Sequence, residues 1–382
     1  MKNRKFALVI ALLVSSLTQA QYFPPNNGSW ETIQPGKAGF NPKKLEEVIK
    51  FAESNEYSGS KDLRIAILTS FAREPYHDVL GPTKERGGPA GVILKGGKIV
   101  ASWGDTKRVD MTFSVTKSYL STVAGLALDK GLISSLNDPI KNYVWDNTYE
   151  GEHNAKITWE HMLTQSSDWS GSMFGMPDWS DRPSRDGGID DWKHRELHEP
   201  GTYFKYNDVR VNVLSYSLLQ VWRKPLPHVL KTYIMDPIGA STTWRWMGYD
   251  HAWVTIDGQK MQSVTGGGHS GGGVFISTED HARFGLLFMN EGKWNGQQIL
   301  SSAWVKSVQE PSEANESYGY MWWLNRGGRK WQGVEDESIY FAAGFGGNYI
   351  IIDKTNDIVV ITRWLEPSKI GDFMTKVYAA MN

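Results

Sequence analysis

The chain has 382 residues, a formal net charge of −1 and no cysteine. A charge so close to zero argues against nucleic acid or an anionic membrane as the partner. The lack of cysteine excludes disulfides, thiol catalysis and thiolate metal sites. A hydrophobic content of 40% supports a large core, and the length suits a two-lobed enzyme.

The first twenty residues have the pattern of a cleaved signal peptide. A basic start, Met1–Lys5, precedes the apolar run Phe6–Val14 and the small-residue site Thr18-Gln19-Ala20. Neither this run nor any later segment approaches the about 20 apolar residues of a membrane-spanning helix. We therefore predict a mature chain of residues 21–382 that is periplasmic or secreted and has no membrane span.

The mature chain reads as one continuous α/β domain with strands at both ends and helices between. Residues 114 to about 265 are predicted to be mainly helical, interrupted by a polar loop over 166–200. The other predicted elements are a helix over 43–54, a β-hairpin from 91–94 and 99–103, strands over 274–277, 320–324, 349–352 and 358–362, and helices over 279–289 and 371–380. We predict an antiparallel sheet flanked by helices (about 35–110 and 270–382) and a mainly helical lobe (about 111–269).

Ser114 and Lys117 open a predicted helix that ends at Gly131. Its apolar residues recur at helical spacing: Leu120, Val123, Ala124, Ala127 and Leu128. Residues three apart share one helix face, so the lysine amine can reach the serine hydroxyl. A lysine whose pKa is lowered by burial could remove the proton and make the serine a nucleophile.

Two alternatives weigh against this interpretation. Ser114 could be only a helix N-cap, with Lys117 on the surface. The same spacing also occurs in Ser58-Gly59-Ser60-Lys61, which is polar and is predicted to be a solvated loop. The spacing alone is therefore weak evidence.

A second candidate catalytic segment begins at Pro200 and leads into a helical pattern over Val209–Trp222. Pro200 and Gly201 predict a turn that places Tyr206 just before the helix. A phenol beside a serine and a lysine could relay a proton to a leaving group. Taken alone, a tyrosine at this position is more often a packing residue.

Several motifs follow one another in an order that resembles a known superfamily. They are Phe113-Ser114-Val115-Thr116-Lys117, the segment Ile157–Ser167, the segment Pro200–Asp208, Gly271–Asp280 and Phe341–Tyr349. Together they are similar to the serine hydrolases that include class C β-lactamases, penicillin-binding proteins, related esterases and nylon-oligomer hydrolases. The resemblance covers most of residues 35–380 and implies the two-lobed fold of that superfamily.

The resemblance implies a role for each matching residue. Ser114 matches the nucleophile, Lys117 the general base and Tyr206 the tyrosine of the Tyr-x-Asn motif. The third position of that motif is Asp208, a departure, because an ionised aspartate only accepts hydrogen bonds whereas asparagine also donates them. Asp208 could therefore hold Lys117 differently.

A larger departure lies near the C-terminus. Many relatives carry Lys-Thr-Gly or His-Thr-Gly on the strand that lines the site, whereas this chain has Ala342-Ala343-Gly344. The missing cation argues against β-lactamase and D,D-peptidase activity and favours the esterase and nylon-oligomer hydrolase branch. The resemblance implies that Gly344 lets substrate approach, and that the backbone N–H groups of Ser114 and Phe345 form the oxyanion hole.

Two further patterns could suggest other chemistry. Gly268-His269-Ser270-Gly271-Gly272 matches the α/β-hydrolase elbow, but no strand is predicted before it and no helix after it. His269 instead resembles a histidine that lines the nylon-oligomer hydrolase pocket. His194 and His198 lack a glutamate at the position that a zinc site needs, so no metal is predicted.

The prediction is therefore a serine hydrolase acting on a small-molecule ester or amide without a cofactor. A true β-lactamase or D,D-peptidase is one alternative. The other is a non-catalytic binding protein, since Trp169, Trp179 and Trp192 fall in the loop between the catalytic segments. The candidate substrate-binding residues are Asp208, His269, Gly344, Trp169 and Asp178. The sequence leaves the oligomeric state open.

Overall fold

The computed structural model describes residues 21–26 and 29–381, so the predicted signal peptide lies outside the described residues. The helices are α1 (Pro42–Ser54), α2 (Leu63–Ser70), α3 (Thr116–Asp129), α4 (Trp159–Leu163), α5 (Ile189–Lys193), α6 (Asp208–Trp222), α7 (Leu226–Leu230), α8 (Thr278–Met289), α9 (Ser302–Ser307) and α10 (Ile370–Ala379). The strands are β1 (Ala90–Lys95), β2 (Lys98–Trp103), β3 (Asp110–Met111), β4 (Ser172–Met173), β5 (Met176–Pro177), β6 (Arg245–Ile256), β7 (Gln259–Val264), β8 (Gly273–Ile276), β9 (Lys293–Trp294), β10 (Gln297–Gln298), β11 (Trp323–Leu324), β12 (Tyr340–Gly344), β13 (Asn348–Asp353) and β14 (Ile358–Arg363).

The main sheet is antiparallel and has the strand order β11-β12-β13-β14-β1-β2. Strand β1, from the N-terminal part of the chain, pairs with β14 from the C-terminal part, with Ile93 opposite Val360. Both ends of the chain therefore build one sheet, as the order of the elements predicts. The predicted α/β class with an antiparallel sheet flanked by helices is confirmed.

Strand β14 is apolar along most of its length because both faces of the sheet are covered. Val359 and Ile361 pack in the core that also contains α3 and α8. Ile358 and Val360 pack in a second core with α1 and α10. Successive side chains of a strand point to opposite faces, so a strand between two helical layers needs apolar residues at every position.

The long hairpin of β6 and β7 contradicts the prediction of mainly helical structure up to residue 265. Residues 245–264 form two paired strands that join β3 and β8 in a four-stranded sheet. The turn is Asp257-Gly258, and both residues have positive φ, 52° and 76°. Asp-Gly is a strong signal for a tight hairpin turn, so local turn chemistry determines this element.

No helix among the described residues is long and apolar enough to cross a membrane.

Candidate active site

Ser114 lies in a 3₁₀ turn, Phe113–Val115, that leads directly into α3. The N-cap residue of α3 is Val115, and no side chain caps this helix end, so the structure does not support the N-cap alternative for Ser114. Phe113 has a φ of 51°, which is strained for a bulky residue. Its ring packs 5.0 Å from the ring of Phe345, so tertiary packing holds the strained turn.

The buried guanidinium of Arg363 holds the segment before Ser114 in place. It donates to the carbonyl of Met111 at 3.1 Å, to the carbonyl of Ile276 at 2.9 Å and to Asn348 Oδ1 at 2.6 Å. These bonds tie β3, β8 and β13 together beside the turn. The junction of the two sheets thus fixes the position of Ser114. Rigid elements hold a side chain in a defined geometry better than a free loop does.

Lys117 occupies the first turn of α3, and its side chain is fully buried. Its Nζ lies 2.9 Å from Ser114 Oγ, 3.3 Å from the carbonyl of Gly266 and 2.6 Å from Asp208 Oδ1. Burial alone would lower the pKa of Lys117, but the Asp208 carboxylate together with Tyr206 outweighs burial and raises it. The expectation of a lowered pKa was therefore wrong, because the carboxylate stabilises the ammonium form.

Asp208 is the first residue of α6, next to the N-cap residue Asn207. Its Oδ2 lies 3.0 Å from a guanidinium nitrogen of Arg182 and 3.1 Å from Nδ1 of His269. Burial would raise the pKa of Asp208, but Arg182, Lys117 and His269 hold it well below the usual range. Asp208 therefore stays ionised and contacts three cationic side chains.

His269 lies in the loop between β7 and β8, and it is buried. Its ring stacks on Phe71 at 4.2 Å, and Nε2 lies 2.7 Å from Glu74 Oε2. Burial would lower the pKa of His269, but the carboxylates of Asp208 and Glu74 raise it to about 9. His269 is therefore an imidazolium at neutral pH, not a free ligand-binding group.

The same residues include a set with the spacing of metal ligands. Donor atoms of Glu74, Asp181 and His269 lie within 4.8 Å of one another. A protonated histidine cannot coordinate a metal, and Arg182 already lies 2.6 Å from Asp181. The donors are thus paired with protein cations, and this chemistry favours an ion-pair network over a metal centre.

The raised pKa of His269 makes a prediction about stability. Its folded pKa of about 9 exceeds that of an unfolded histidine, so its contribution is complete below about pH 6.5 and is lost as the pH rises through 9. We expect on the order of 3 kcal/mol of unfolding free energy from this group. Urea unfolding of wild type and His269→Gln at about pH 6 and about pH 10 measures it. An equal difference between the two proteins at both pH values would contradict the prediction.

Tyr206 comes within reach of Lys117 as the motif predicts. Its ring centre lies 5.0 Å from Lys117 Nζ and 5.1 Å from the Arg182 guanidinium. The ring also stacks on Trp323 at 5.6 Å. Among the described side chains, the Tyr206 hydroxyl makes no hydrogen bond to Ser114 or Lys117, so its part in proton transfer remains a prediction.

The end of β12 lies directly against the Ser114 turn. A Cβ added at Gly344 would come 2.2 Å from the carbonyl oxygen of Thr112 and 3.3 Å from the amide nitrogen of Ser114. Only glycine allows this approach, which brings the Phe345 amide beside the turn. The arrangement is compatible with the oxyanion hole, which stays a prediction.

The strand position that carries a cation in many relatives is Ala342, which is buried in the core shared with α3. A different cation stands nearby. Arg182, on the loop before α5, contacts both Asp181 and Asp208, and its side chain is 30% exposed. The site therefore contains a guanidinium that no motif in the sequence indicated.

Two predicted substrate-binding residues are not available to a ligand. Trp169 is 3% exposed and donates its indole N–H to the carbonyl of Thr148 at 2.8 Å. Asp178 is buried, and its carboxylate lies 2.9 Å from Arg210. These placements correct the prediction, because the loop folds its Trp169 and Asp178 side chains inward as structural partners.

Glu74 and Arg182 belong to the site but were missed. Both lie in irregular segments, and in the sequence they are 43 and 65 residues from Lys117. No periodicity marks such residues. The acidic cluster Asp178, Asp181 and Asp208 was the one available signal, since buried carboxylates need cationic partners.

Comparison with known proteins places the chain in a family. Residues 79–363 match the Beta-lactamase family, which is more than half of the chain. The chain belongs to the beta-lactamase family. It is therefore a hydrolase of the beta-lactamase fold, and the resemblance seen in the sequence motifs is confirmed.

Three proteins that are similar to this chain are described by different activities. The 6-aminohexanoate-dimer hydrolase of Paenarthrobacter ureafaciens is 24% identical over 314 residues, covering 72% of this chain and 72% of that protein. EstCE1, a hydrolase with promiscuous acyltransferase activity, has a TM-score of 0.58 at 14% identity, covering 89% of this chain and 98% of its own. A penicillin binding protein from Bacillus halodurans has a TM-score of 0.52 at 17% identity, covering 82% and 97%. The two structural matches show the fold alone.

Proposed function

We propose that this protein is a serine hydrolase that cleaves a carboxylic ester or amide through an acyl-enzyme on Ser114. The observation that carries the proposal is the 2.9 Å contact between Lys117 Nζ and Ser114 Oγ in a buried site. In this proposal, neutral Lys117 takes the hydroxyl proton while Ser114 attacks the carbonyl carbon. Tyr206 assists transfer of a proton to the leaving group, and water then releases the acid.

The oxyanion of the tetrahedral intermediate is assigned to the amides of Ser114 and Phe345. The close packing of Gly344 against the Ser114 turn supports this assignment. Backbone amides in a site that excludes water stabilise developing negative charge without reorganisation. No metal or cofactor takes part in the proposed steps.

The charges around Ser114 favour substrates with uncharged acyl groups. The Asp208 and Asp181 carboxylates already pair with Lys117 and Arg182, so an amine on the substrate finds no free carboxylate there. A carboxylate would compete with these aspartates for Arg182, at a cost in desolvation.

Substrate choice is expected to follow from these charges. Short neutral p-nitrophenyl esters should be hydrolysed fastest, because their leaving group needs little protonation. Amide oligomers should be slower, and penicillins slowest, because their carboxylate has no cation at Ala342. Initial rates with the three classes measure the order, and intact mass spectra locate the acyl group. Penicillin hydrolysis as fast as the best ester would favour the β-lactamase alternative.

A further inference from the structure

A line of polar side chains continues from Lys117 away from Ser114. Lys117 Nζ lies 2.6 Å from Asp208 Oδ1, Asp208 Oδ2 lies 3.1 Å from His269 Nδ1, and His269 Nε2 lies 2.7 Å from Glu74 Oε2. With the 2.9 Å contact to Ser114, four contacts of hydrogen-bonding length connect five residues. We call these five residues the proton chain.

The proton chain is closed to solvent from Lys117 to Glu74. Lys117 is 1% exposed, Asp208 and His269 are each 4% exposed, and Glu74 at the far end is 7% exposed. Bulk water therefore has little access to the inner groups. Any change in the charge of Lys117 must be accommodated by its buried neighbours, because an uncompensated charge in such a site is costly.

A resting Lys117 that carries a proton cannot act as the base. The Asp208 carboxylate stabilises its ammonium form, and the same carboxylate is stabilised by His269. The chemistry proposed for Ser114 thus needs a route by which Lys117 loses its proton. The groups beyond Asp208 are candidates for that route.

We propose that Glu74 and His269 are positioning residues that neutralise Lys117 by moving protons along the chain, an inference that rests on the proposed function. His269 gives its Nε2 proton to Glu74 and becomes neutral. Asp208, no longer beside an imidazolium, then takes a proton from Lys117. An ammonium, an imidazolium and two carboxylates become an amine, an imidazole and two carboxylic acids, so the protons and charges balance.

Burial lowers the free-energy cost of the rearrangement. Both transfers remove a pair of opposite charges from a water-excluded region, where ions are most costly. Lys117, now neutral, accepts the Ser114 hydroxyl proton during attack. After the acyl group leaves, reversal of the two transfers restores the ion pairs.

Other groups facing the chain keep their charges during this exchange. Arg182 contacts Asp208, but it also contacts Asp181 at 2.6 Å, so these two charges balance each other. Asp181 lies 3.9 Å from His269 Nδ1. Phe71 covers one face of the imidazole, and Tyr206 lies beside Lys117.

Small side-chain rotations must precede transfer. The Lys117–Asp208 and His269–Glu74 contacts are short, yet Asp208 Oδ1, His269 Nε2 and Glu74 Oε2 do not meet hydrogen-bond geometry. Catalytic hydrogen bonds are often poorly aligned before substrate binds and tighten in the complex.

The test is the pH dependence of acylation in Glu74→Gln. Glutamine cannot accept the His269 proton, so Lys117 can become neutral only by losing a proton to bulk water. The acid limb of the pH profile for kcat/KM should move to higher pH. At neutral pH the rate should fall by about tenfold to a hundredfold and recover in alkaline solution. The purified full chain and a p-nitrophenyl ester are used.

The direction of the shift separates a proton relay from simple electrostatics. If Glu74 acted only through its negative charge, its removal would make Lys117 easier to deprotonate, and the acid limb would move to lower pH. That result, or an unchanged profile, overturns the proposal. His269→Gln breaks the chain at its middle and should shift the limb in the same direction as Glu74→Gln.

Two further variants complete the test. Glu160→Gln makes the same chemical change in α4, where the carboxylate accepts only from the Tyr320 hydroxyl among the described side chains, and it should keep the wild-type profile. Glu74→Asp retains a proton acceptor and should restore part of the neutral-pH rate. If Glu74→Asp recovers no activity, and if the activity lost in Glu74→Gln does not return in alkaline solution, then Glu74 has a structural role. That result overturns the relay.

The relay and the proposed function fail in distinguishable ways. Intact mass spectra of the wild-type protein report whether Ser114 becomes acylated. Absence of the acyl-enzyme defeats the proposed function and the relay with it. An acyl-enzyme in wild type, with a Glu74→Gln profile that does not move to higher pH, defeats the relay alone.

Discussion

Ser114→Ala is expected to lower ester hydrolysis by at least about a thousandfold while leaving the fold intact. The hydroxyl is the only group in the proposed mechanism that forms a bond to the substrate. Ser114 Oγ accepts a hydrogen bond from Lys117 but caps no helix, so its loss should cost about 1 kcal/mol of unfolding free energy or less. Rates with p-nitrophenyl esters and thermal melting curves measure the two effects.

The chain supplies a matched control for this substitution. Ser58 stands in the other Ser-x-x-Lys match, and its exposed hydroxyl contacts Glu366. Ser58→Ala should therefore keep wild-type activity. Ser270→Ala tests the elbow alternative, although Ser270 is buried in a loop that is followed by strand β8 and not by the helix that the elbow requires. Normal turnover by Ser114→Ala, with loss in Ser270→Ala, would replace the proposed nucleophile.

Lys117→Arg should be almost inactive, with a loss comparable to that of Ser114→Ala. Arginine keeps the positive charge that pairs with Asp208, but it does not release its proton at any accessible pH. High pH should therefore not restore activity, in contrast to Glu74→Gln. The readout is the rate of Ser114 acylation across the pH range, followed by intact mass.

Folding controls accompany the lysine variant, because the larger arginine side chain enters a fully buried space. Lys61→Arg, in the exposed Ser58 loop, makes the same change where no effect is expected. Lys117→Met, which has no proton to exchange, should be equally inactive if the lysine is the base. Rapid acylation in a folded Lys117→Arg protein would assign the base to another group, such as Tyr206.

The alternative of a binding protein on a degenerate scaffold depends on the three tryptophans in the loop between the catalytic segments. Trp169 is buried. Lys193 Nζ lies 5.3 Å from the ring of Trp179, and the Arg73 guanidinium lies 5.8 Å from the ring of Trp192. Each of these two rings therefore has a cation of the protein itself beside it. The contact between Lys117 and Ser114 favours catalysis.

Much of the fold could be predicted because local pattern and tertiary packing agree. The run from Ile358 to Thr362 is a strand by composition, and burial on both faces explains why it has no polar alternation. The predicted helix over 279–289 is observed as Thr278–Met289. The hairpin at Asp257-Gly258 was missed, although its Asp-Gly turn is a local signal for two paired strands.

By itself, the sequence determined the Ser114–Lys117 pair and the position of Tyr206 before α6. These depend on residues close in the chain, where three-residue spacing or a turn is enough to set the geometry. The resemblance to the superfamily placed Gly344 on a strand, and Gly344 is the last residue of β12. Such local relations survive in any fold that keeps the helix and the strand.

Only the tertiary structure decided the charge state of the site. Asp208, His269 and Glu74 come from three separate segments, and their contacts with Lys117 and with one another form only when α6, the β7–β8 loop and the segment after α2 pack together. The pKa of Lys117 rises because of Asp208, although burial alone predicts the opposite. Electrostatic energies depend on distance and on the exclusion of water, and neither can be read from the order of residues along a chain.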